Sequence, residues 1–367
     1  MRLGLDISQI VYQGTGVSRF TKGLVDAILR YDSDNQWTFF FASLRRNIDP
    51  NLEKEIRQKG ICIVKGKMPP TLLSFFWNQI HTLPIESLVG QLDWFISSDW
   101  TEPPAKKIKK ATIVHDLVYL RFPETVDKTI LETQKKRLKW VKKESRIIFA
   151  DSQQTKNDLI DLLDMQKDKV VVNYPGVDVA VPDKATVEKT LKKYRIDKPF
   201  VLSVGKVEPR KNYNRLIDAF GLLGYDDIDL IIIGPKGWQE LNAKNAHIKI
   251  INHVSDEELF SFYRSCLFFI MPSIWEGFGY PIVEAMRLGA PVTCAKVSSL
   301  MELGGQAVLF FNPLKVDEIS QAIKKMTEEK TIRKSLSEKG LEQSKQFSWK
   351  RYYNNLIEGL EIKKYSP

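Results

Sequence analysis

Phe200-Val201-Leu202-Ser203-Val204-Gly205-Lys206-Val207-Glu208-Pro209-Arg210-Lys211-Asn212 is the stretch on which the fold turns. Its opening run of apolar residues has the length of a buried strand, Gly205 breaks the run, and a helical pattern occupies Asn214 to Leu223. Strand, glycine turn and helix make up the start of a β-α unit. The same rhythm continues downstream at Leu230–Ile233, Ile248–Ile251, Leu267–Met271, Val292–Cys294 and Val308–Phe310. Upstream it runs through Leu3–Ile7, Thr38–Ala42, Trp94–Ser97, Thr112–Val114, Ile147–Ala150 and Val170–Val172. Strands that alternate with helices imply a parallel sheet with crossover helices. The rhythm is played twice, so the chain reads as α/β with two Rossmann-like parallel-sheet domains.

Length agrees: 367 residues, 43% of them hydrophobic, exceed one compact domain and supply two cores. The seam is expected at Tyr174-Pro175-Gly176, where a strand ends and the polar stretch Pro182 to Lys198 leads into the second sheet. This gives a first domain over 1–175 and a second from 176. Ligands of open parallel sheets sit beyond the carboxyl ends of the strands, so function is sought on the loops that follow them, in a cleft where two such units face one another.

Composition removes several function classes. The longest uncharged apolar stretch, Ser265 to Trp275, falls well short of the ~18 residues that suggest a membrane span. Asp6 interrupts any apolar run near the N-terminus, so no secretory leader is expected and the protein is read as cytoplasmic. Cys62, Cys266 and Cys294 are scattered and are expected to be reduced core residues. His81, His115, His247 and His253 show no metal-ligand spacing. Asp32-Ser33-Asp34 reads as a turn rather than a metal-binding pair. The net charge of +10 calls for an anionic partner, and the excess is local: Lys128 to Arg146 holds eight Lys/Arg against Glu132 and Glu144. Read as an amphipathic helix, it puts Leu131, Leu138 and Val141 on one face and Trp140 opposite, among Lys136 and Lys143. That face suits an anionic membrane or a lipid diphosphate. No nucleic-acid recognition motif accompanies the charge.

The chemistry lies in three loops. After Val204, Arg210 offers a planar fork of donors and Lys211 a compact ammonium, a pair suited to a diphosphate that gains charge as a bond breaks; a solvated basic loop is the plain alternative. Glu276-Gly277-Phe278-Gly279-Tyr280-Pro281 leads into a short helix that ends at Gly289. Glycines there let the backbone approach an anion at the helix N-terminus, with Glu276 before the helix and Glu284 one turn inside it. The plain alternative makes Glu276 a helix-end charge and Glu284 a surface residue. Ile113-Val114-His115-Asp116 ends a first-domain strand, as a ligand contact or as a core hydrogen-bonded pair. Gly14-Thr15-Gly16-Val17 follows the first strand and lacks the third glycine of the dinucleotide fingerprint, which argues against a dehydrogenase.

Taken together, these segments resemble the retaining glycosyltransferases of family 4, also called group 1. The likeness extends through Asp99–Pro104, Arg121-Phe122-Pro123-Glu124, Ser152 with Lys156 and Asp158, Tyr174 to Asp178, and Val254 to Leu259. It implies a GT-B fold, with donor held mainly by the second domain, over 176–348, and acceptor by the first. Phe347-Ser348-Trp349 resembles the point where the last helix, within 349–367, crosses back to the first domain. By motif, Arg210 and Lys211 clamp the diphosphate, Glu276 and the Gly277–Tyr280 backbone meet sugar and phosphate, Glu284 binds ribose, and His115 touches the sugar. Gly14, Gly16 and Gly205 belong to donor-side loops, and Gly234, His253 and Val254 to the base pocket. Lys206 departs from the Arg or Thr common after the glycine and competes with Arg210 for the leaving phosphate.

The implied reaction moves a hexose from a nucleotide diphosphate sugar, GDP-mannose by resemblance, to a glycan or lipid-diphosphate-linked acceptor, mannosyltransferase-like and without metal or cofactor. Within the fold the rivals are a sugar-nucleotide epimerase or phosphorylase, and outside enzymes a catalytically silent binding subunit. The basic stretch 128–146 would bring the enzyme to the inner face of the cell membrane.

Overall fold

The computed structural model describes residues Met1 to Lys363 except Gln13, Leu44, Lys67, Ser98 and 243–245. The chain divides into two compact units, Met1–Gly176 with the segment from Ser348, and Val177–Phe347.

In the N-terminal unit, β1 (Arg2–Asp6), β2 (Gln36–Phe41), β3 (Cys62–Lys65), β4 (Trp94–Ser97), β5 (Lys109–Val114), β6 (Ile147–Ala150) and β7 (Val170–Val172) form one parallel sheet in the order β3-β2-β1-β4-β5-β6-β7. Helices cover both faces, so successive residues along a strand are buried in opposite directions. Phe39, Ile96, Ile147 and Phe149 join the core that receives the helix Gly16–Tyr31 and the last helix, Trp349–Ile362. Phe40 and Phe95 face a second cluster, built around Trp77. Ile148 and Ala150 join a third, with Leu138 and Val141. Trp349 fits closely: a Cβ on Gly23 would come within 2.1 Å of its ring and one on Gly176 within 2.3 Å, so both positions need glycine.

In the C-terminal unit, β8 (Phe200–Val204), β9 (Asp229–Ile233), β10 (Ile248–Ile251), β11 (Phe268–Met271), β12 (Val292–Ala295) and β13 (Val308–Phe311) form a parallel sheet in the order β10-β9-β8-β11-β12-β13. In each sheet the order reverses beside the first strand, between β1 and β4 and between β8 and β11. Loops that leave strands on either side of such a reversal diverge and leave room for a ligand.

Three expectations need correcting. Cys62 is exposed at the first residue of β3, an edge strand too short to stand out as an apolar run; Cys266 is partly exposed and only Cys294 lies in the core. In the helix Lys128–Glu144, Arg137 is fully buried and donates from Nη2 to Ile113 O at 2.9 Å, so it leaves the basic face. Trp140 does not project freely either. Its ring stacks on His81 at 3.6 Å, its Nε1 donates to Asn78 O, and Lys139 and Lys143 lie over it. Asp32 is a turn residue, accepting from the Asp34 and Asn35 backbone and from Trp37 Nε1. No helix among the described residues is long and apolar enough to cross a membrane.

Candidate active site

The loops that leave β8 and β11 flank the reversal of the second sheet, and they carry the charged groups. After β8 the chain makes a short turn, Pro209–Lys211, and Asn212 adopts φ +60, a left-handed conformation that asparagine tolerates. Its buried Nδ2 donates to Pro272 O at 3.0 Å and Pro313 O at 2.7 Å, which ties the β8 loop to the β11 and β13 loops. Ile274 N adds a bond to Arg210 O. A Cβ on Gly234 would stand 2.1 Å from Gly205 O, so the loops after β8 and β9 touch backbone to backbone.

This scaffold closes four charges into one cluster. Arg210 Nη1 lies 2.8 Å from Glu276 Oε2, and Arg210 Nη2 lies 2.7 Å from Glu208 Oε1. Lys211 Nζ donates to Glu276 Oε1 at 2.7 Å. All four side chains are between 9% and 14% exposed, so they are desolvated yet within reach of a ligand. Burial opposes ionisation of Glu276, but the Arg210 and Lys211 charges overcome it and hold the carboxyl at about 2. Burial also lowers Lys211, an effect that Glu276 offsets and Arg210 reinforces. Glu276 therefore occupies the two cations that an anion would seek.

Glu276 is fixed from behind. Its N–H donates to Ser298 Oγ, while Ser299 Oγ donates to Glu276 O and Phe278 O. Gly279, at φ +113, turns the chain into the helix Tyr280–Arg287. Pro281 sits in its first turn, where a missing N–H costs nothing. Gly277, Phe278 and Gly279 are buried, the Phe278 ring against Tyr280 at 5.1 Å. Glu284 is 3% exposed and accepts from Tyr263 Oη at 3.2 Å, so it is no surface residue.

Of the other predicted site residues, Lys206 shares the β8 loop and the rest lie on or next to other loops. Lys206 is exposed, its ammonium 4.7 Å above the Trp238 ring. His253 is exposed and Val254 half-buried, just ahead of Ser255, which caps the helix Asp256–Ser265. In the N-terminal unit, exposed Gly14 and Gly16 bracket Thr15, whose side chain caps the helix Gly16–Tyr31. His115, at the end of β5, pairs through Nδ1 with Asp151 Oδ2 at 2.7 Å rather than with Asp116, which caps Val118 N. The sequence reading assigned no role to Asp151, Ser298, Ser299 or Glu208. Only Glu208 carried a usable signal, two residues from Arg210 in the same loop.

Comparison with known proteins gives this arrangement its class. The family described as "Glycosyl transferases group 1" matches residues 186–343. The "O-antigen chain mannosyltransferase B" of Escherichia coli is 30% identical over 273 residues, covering 71% of this chain and 72% of that protein. The "Serotype-specific mannosyltransferase WbdA" of the same organism is 29% identical over 229 residues, 58% of this chain but only 28% of that protein. Among solved structures, sucrose-phosphate synthase from Thermosynechococcus elongatus superposes with a TM-score of 0.73 at 14% identity, over 99% of each chain. Anabaena HepE in complex with UDP and glucose gives 0.71 at 17%, over 99% of this chain and all of that one. The two Rossmann-like units are thus those of the GT-B architecture, and the class is that of sugar-transferring enzymes of glycan synthesis. The chain belongs to the group 1 glycosyltransferases.

Proposed function

We propose that this enzyme transfers mannose from GDP-mannose, with retention of configuration and without a divalent metal, to a hydroxyl of a glycan or a lipid-diphosphate-linked glycan. One observation carries the reading: Arg210 and Lys211 converge on Glu276 beside the N-terminus of the helix Tyr280–Arg287. In that setting the pair takes up the charge that grows on the diphosphate as its bond to the anomeric carbon breaks. The acceptor proton passes to the departing phosphate on the same face, so no strong protein base is needed. Glu276 then serves the sugar, Glu284 the ribose, and His115 a sugar hydroxyl. Relatives named mannosyltransferases support the sugar. The lysines left exposed on Lys128–Glu144 are assigned to an anionic membrane surface.

The test is a panel of GDP-mannose, UDP-glucose, UDP-galactose and UDP-N-acetylglucosamine in thermal unfolding. The true donor at a hundred times its dissociation constant stabilises by ~2.7 kcal/mol. Stabilisation by a UDP sugar instead of GDP-mannose would change the donor; stabilisation by none would remove all four as donors. Rapid donor consumption without an acceptor would favour an epimerase.

A further inference from the structure

Far from the Arg210 cluster in sequence, the loops after β5 and β6 bring together a histidine and a carboxylate that lie 36 positions apart. His115 Nδ1 stands 2.7 Å from Asp151 Oδ2, and the two side chains are 14% and 3% exposed. Asp151 is anchored by its own N–H, which donates to Val114 O. His115 is anchored by Thr155 Oγ1, which donates to its carbonyl at 3.1 Å. Phe20 meets the imidazole edge-on at 4.5 Å and limits its rotation. The second carboxylate oxygen, Oδ1, is buried without a hydrogen-bond partner, so this side chain's only hydrogen bond among the described residues is to the ring. Nδ1 being taken, Nε2 is the one ring nitrogen left for a ligand, and no described residue bonds to it.

We propose that Asp151 is a positioning residue for the transfer reaction: by gripping Nδ1 it fixes the His115 ring and favours its charged form, so that Nε2–H donates to a ligand oxygen. The inference rests on the proposed role of His115 toward a sugar hydroxyl. The chemistry is that of the imidazole itself. A neutral ring with its proton on Nδ1 presents a lone pair at Nε2, whereas the charged ring donates from both nitrogens. Burial works against the charged form, but Asp151, with Asp99 and Asp116 adding, outweighs it and pushes the ring up to about 9. The other polar groups of this neighbourhood are Arg137, 3.6 Å from Asp99; Tyr119, which interacts with Asp99 and Asp116; and Tyr352, which interacts with Asp151. Burial raises the Asp151 carboxyl, and the imidazolium pulls it only part of the way back.

The experiment compares the full-length parent with Asp151→Asn, Asp151→Glu and His115→Gln. It follows GDP release from GDP-mannose between pH 6 and 9.5, and the His115 ring resonances by NMR. In the parent, the ring titrates near 9 and kcat/KM declines there. In Asp151→Asn, titration moves toward the ordinary value of about 6.5, and kcat/KM at pH 8 falls on the order of tenfold to hundredfold. The deficit shrinks toward pH 6, where the ring recharges, and Asp151→Glu recovers part of the loss. A purely structural role would not move the pH profile. If His115→Gln keeps parental kinetics, the role of His115 itself fails. If His115→Gln is impaired while Asp151→Asn leaves the ring titration and the pH profile in place, the positioning role is overturned and that of His115 stands. The resonances of each variant report whether it is folded.

Discussion

In the N-terminal unit, Lys110 is held by Glu102 at 2.8 Å and by Glu144 at 3.0 Å; in the C-terminal unit, Lys211 and Arg210 are held by Glu276 at 2.7 and 2.8 Å. Both are buried clusters of opposite charge, yet only the second is assigned to chemistry. The first is closed at its centre, where Lys110 and Glu102 are 3% and 0% exposed, while Glu144 at its edge is 24% exposed. Glu102 is fully buried, and its other oxygen accepts from Ser97 and Thr112. Glu144 turns its second oxygen to His81, whose ring is covered by Trp140. Lys110 also sits near the start of β5, at the end of the sheet away from the ligand-binding loops. The second cluster lies on loops past the carboxyl ends of β8 and β11, and each member keeps some exposure. Buried charge alone therefore does not mark a site. Its place along the strand, and whether a ligand can replace one partner, does.

Breaking the first cluster should give the largest effect of all, on stability and not on activity. Lys110→Met leaves Glu102 buried without its cation, a kind of loss that costs about 3–5 kcal/mol. Chemical unfolding should show a lowered midpoint, while kcat/KM per folded molecule stays at the parental value. A variant that folds as firmly as the parent but loses transfer would erase the distinction between the clusters.

The same contrast accounts for what the sequence made legible. The C-terminal cluster comes from two contiguous segments, Glu208 to Asn212 and Glu276 to Glu284, so residue type and spacing announce it. The N-terminal cluster is drawn from positions 81, 102, 110 and 144, and nothing in the sequence ties them together before the chain folds. Asp151 was missed for the same reason: its partner sits on the loop after another strand. Arg137 read as one more member of a basic face because composition cannot tell a lysine in water from an arginine whose guanidinium satisfies a buried carbonyl. Strands were legible wherever both faces are buried, as in Trp94–Ser97 and Ile147–Ala150. The half-exposed edge strand Cys62–Lys65 lacked that signal.

Within the C-terminal unit, the two glutamates sharpen the comparison at smaller cost. Glu276 pairs with both cations, so in the proposed mechanism a diphosphate competes with it for Arg210 and Lys211. Glu276→Gln should lower kcat on the order of tenfold to hundredfold, the worth of a charge-assisted hydrogen bond gained in the transition state. It should bind GDP at least as tightly as the parent, because a competitor for the cations is gone. Glu284→Gln should instead raise KM with little change in kcat, as expected for a contact made equally before and during reaction. Steady-state kinetics with GDP titrations separate the two. If both variants stay within about twofold of parental kcat/KM, the site is elsewhere.

The smallest expected effect concerns a divalent metal. A diphosphate leaving group gains a negative charge as its bond to the sugar breaks, and either a metal ion or a pair of cationic side chains can stabilise it. In the proposed mechanism Arg210 and Lys211 supply that pair, held in place by bonds to Trp275 O, Glu208 and Glu276. If the pair carries the whole task, excess chelator should leave kcat/KM within about twofold and added Mg²⁺ or Mn²⁺ should not raise it. If the pair does only part of it, activity should fall with chelation and return with the metal, and the proposal of metal independence fails. Lys211→Ala separates the two cases further. An enzyme whose cations replace a metal should be partly rescued by Mg²⁺ only after Lys211 is gone, whereas one that uses Mg²⁺ already should show the same metal dependence before and after the substitution.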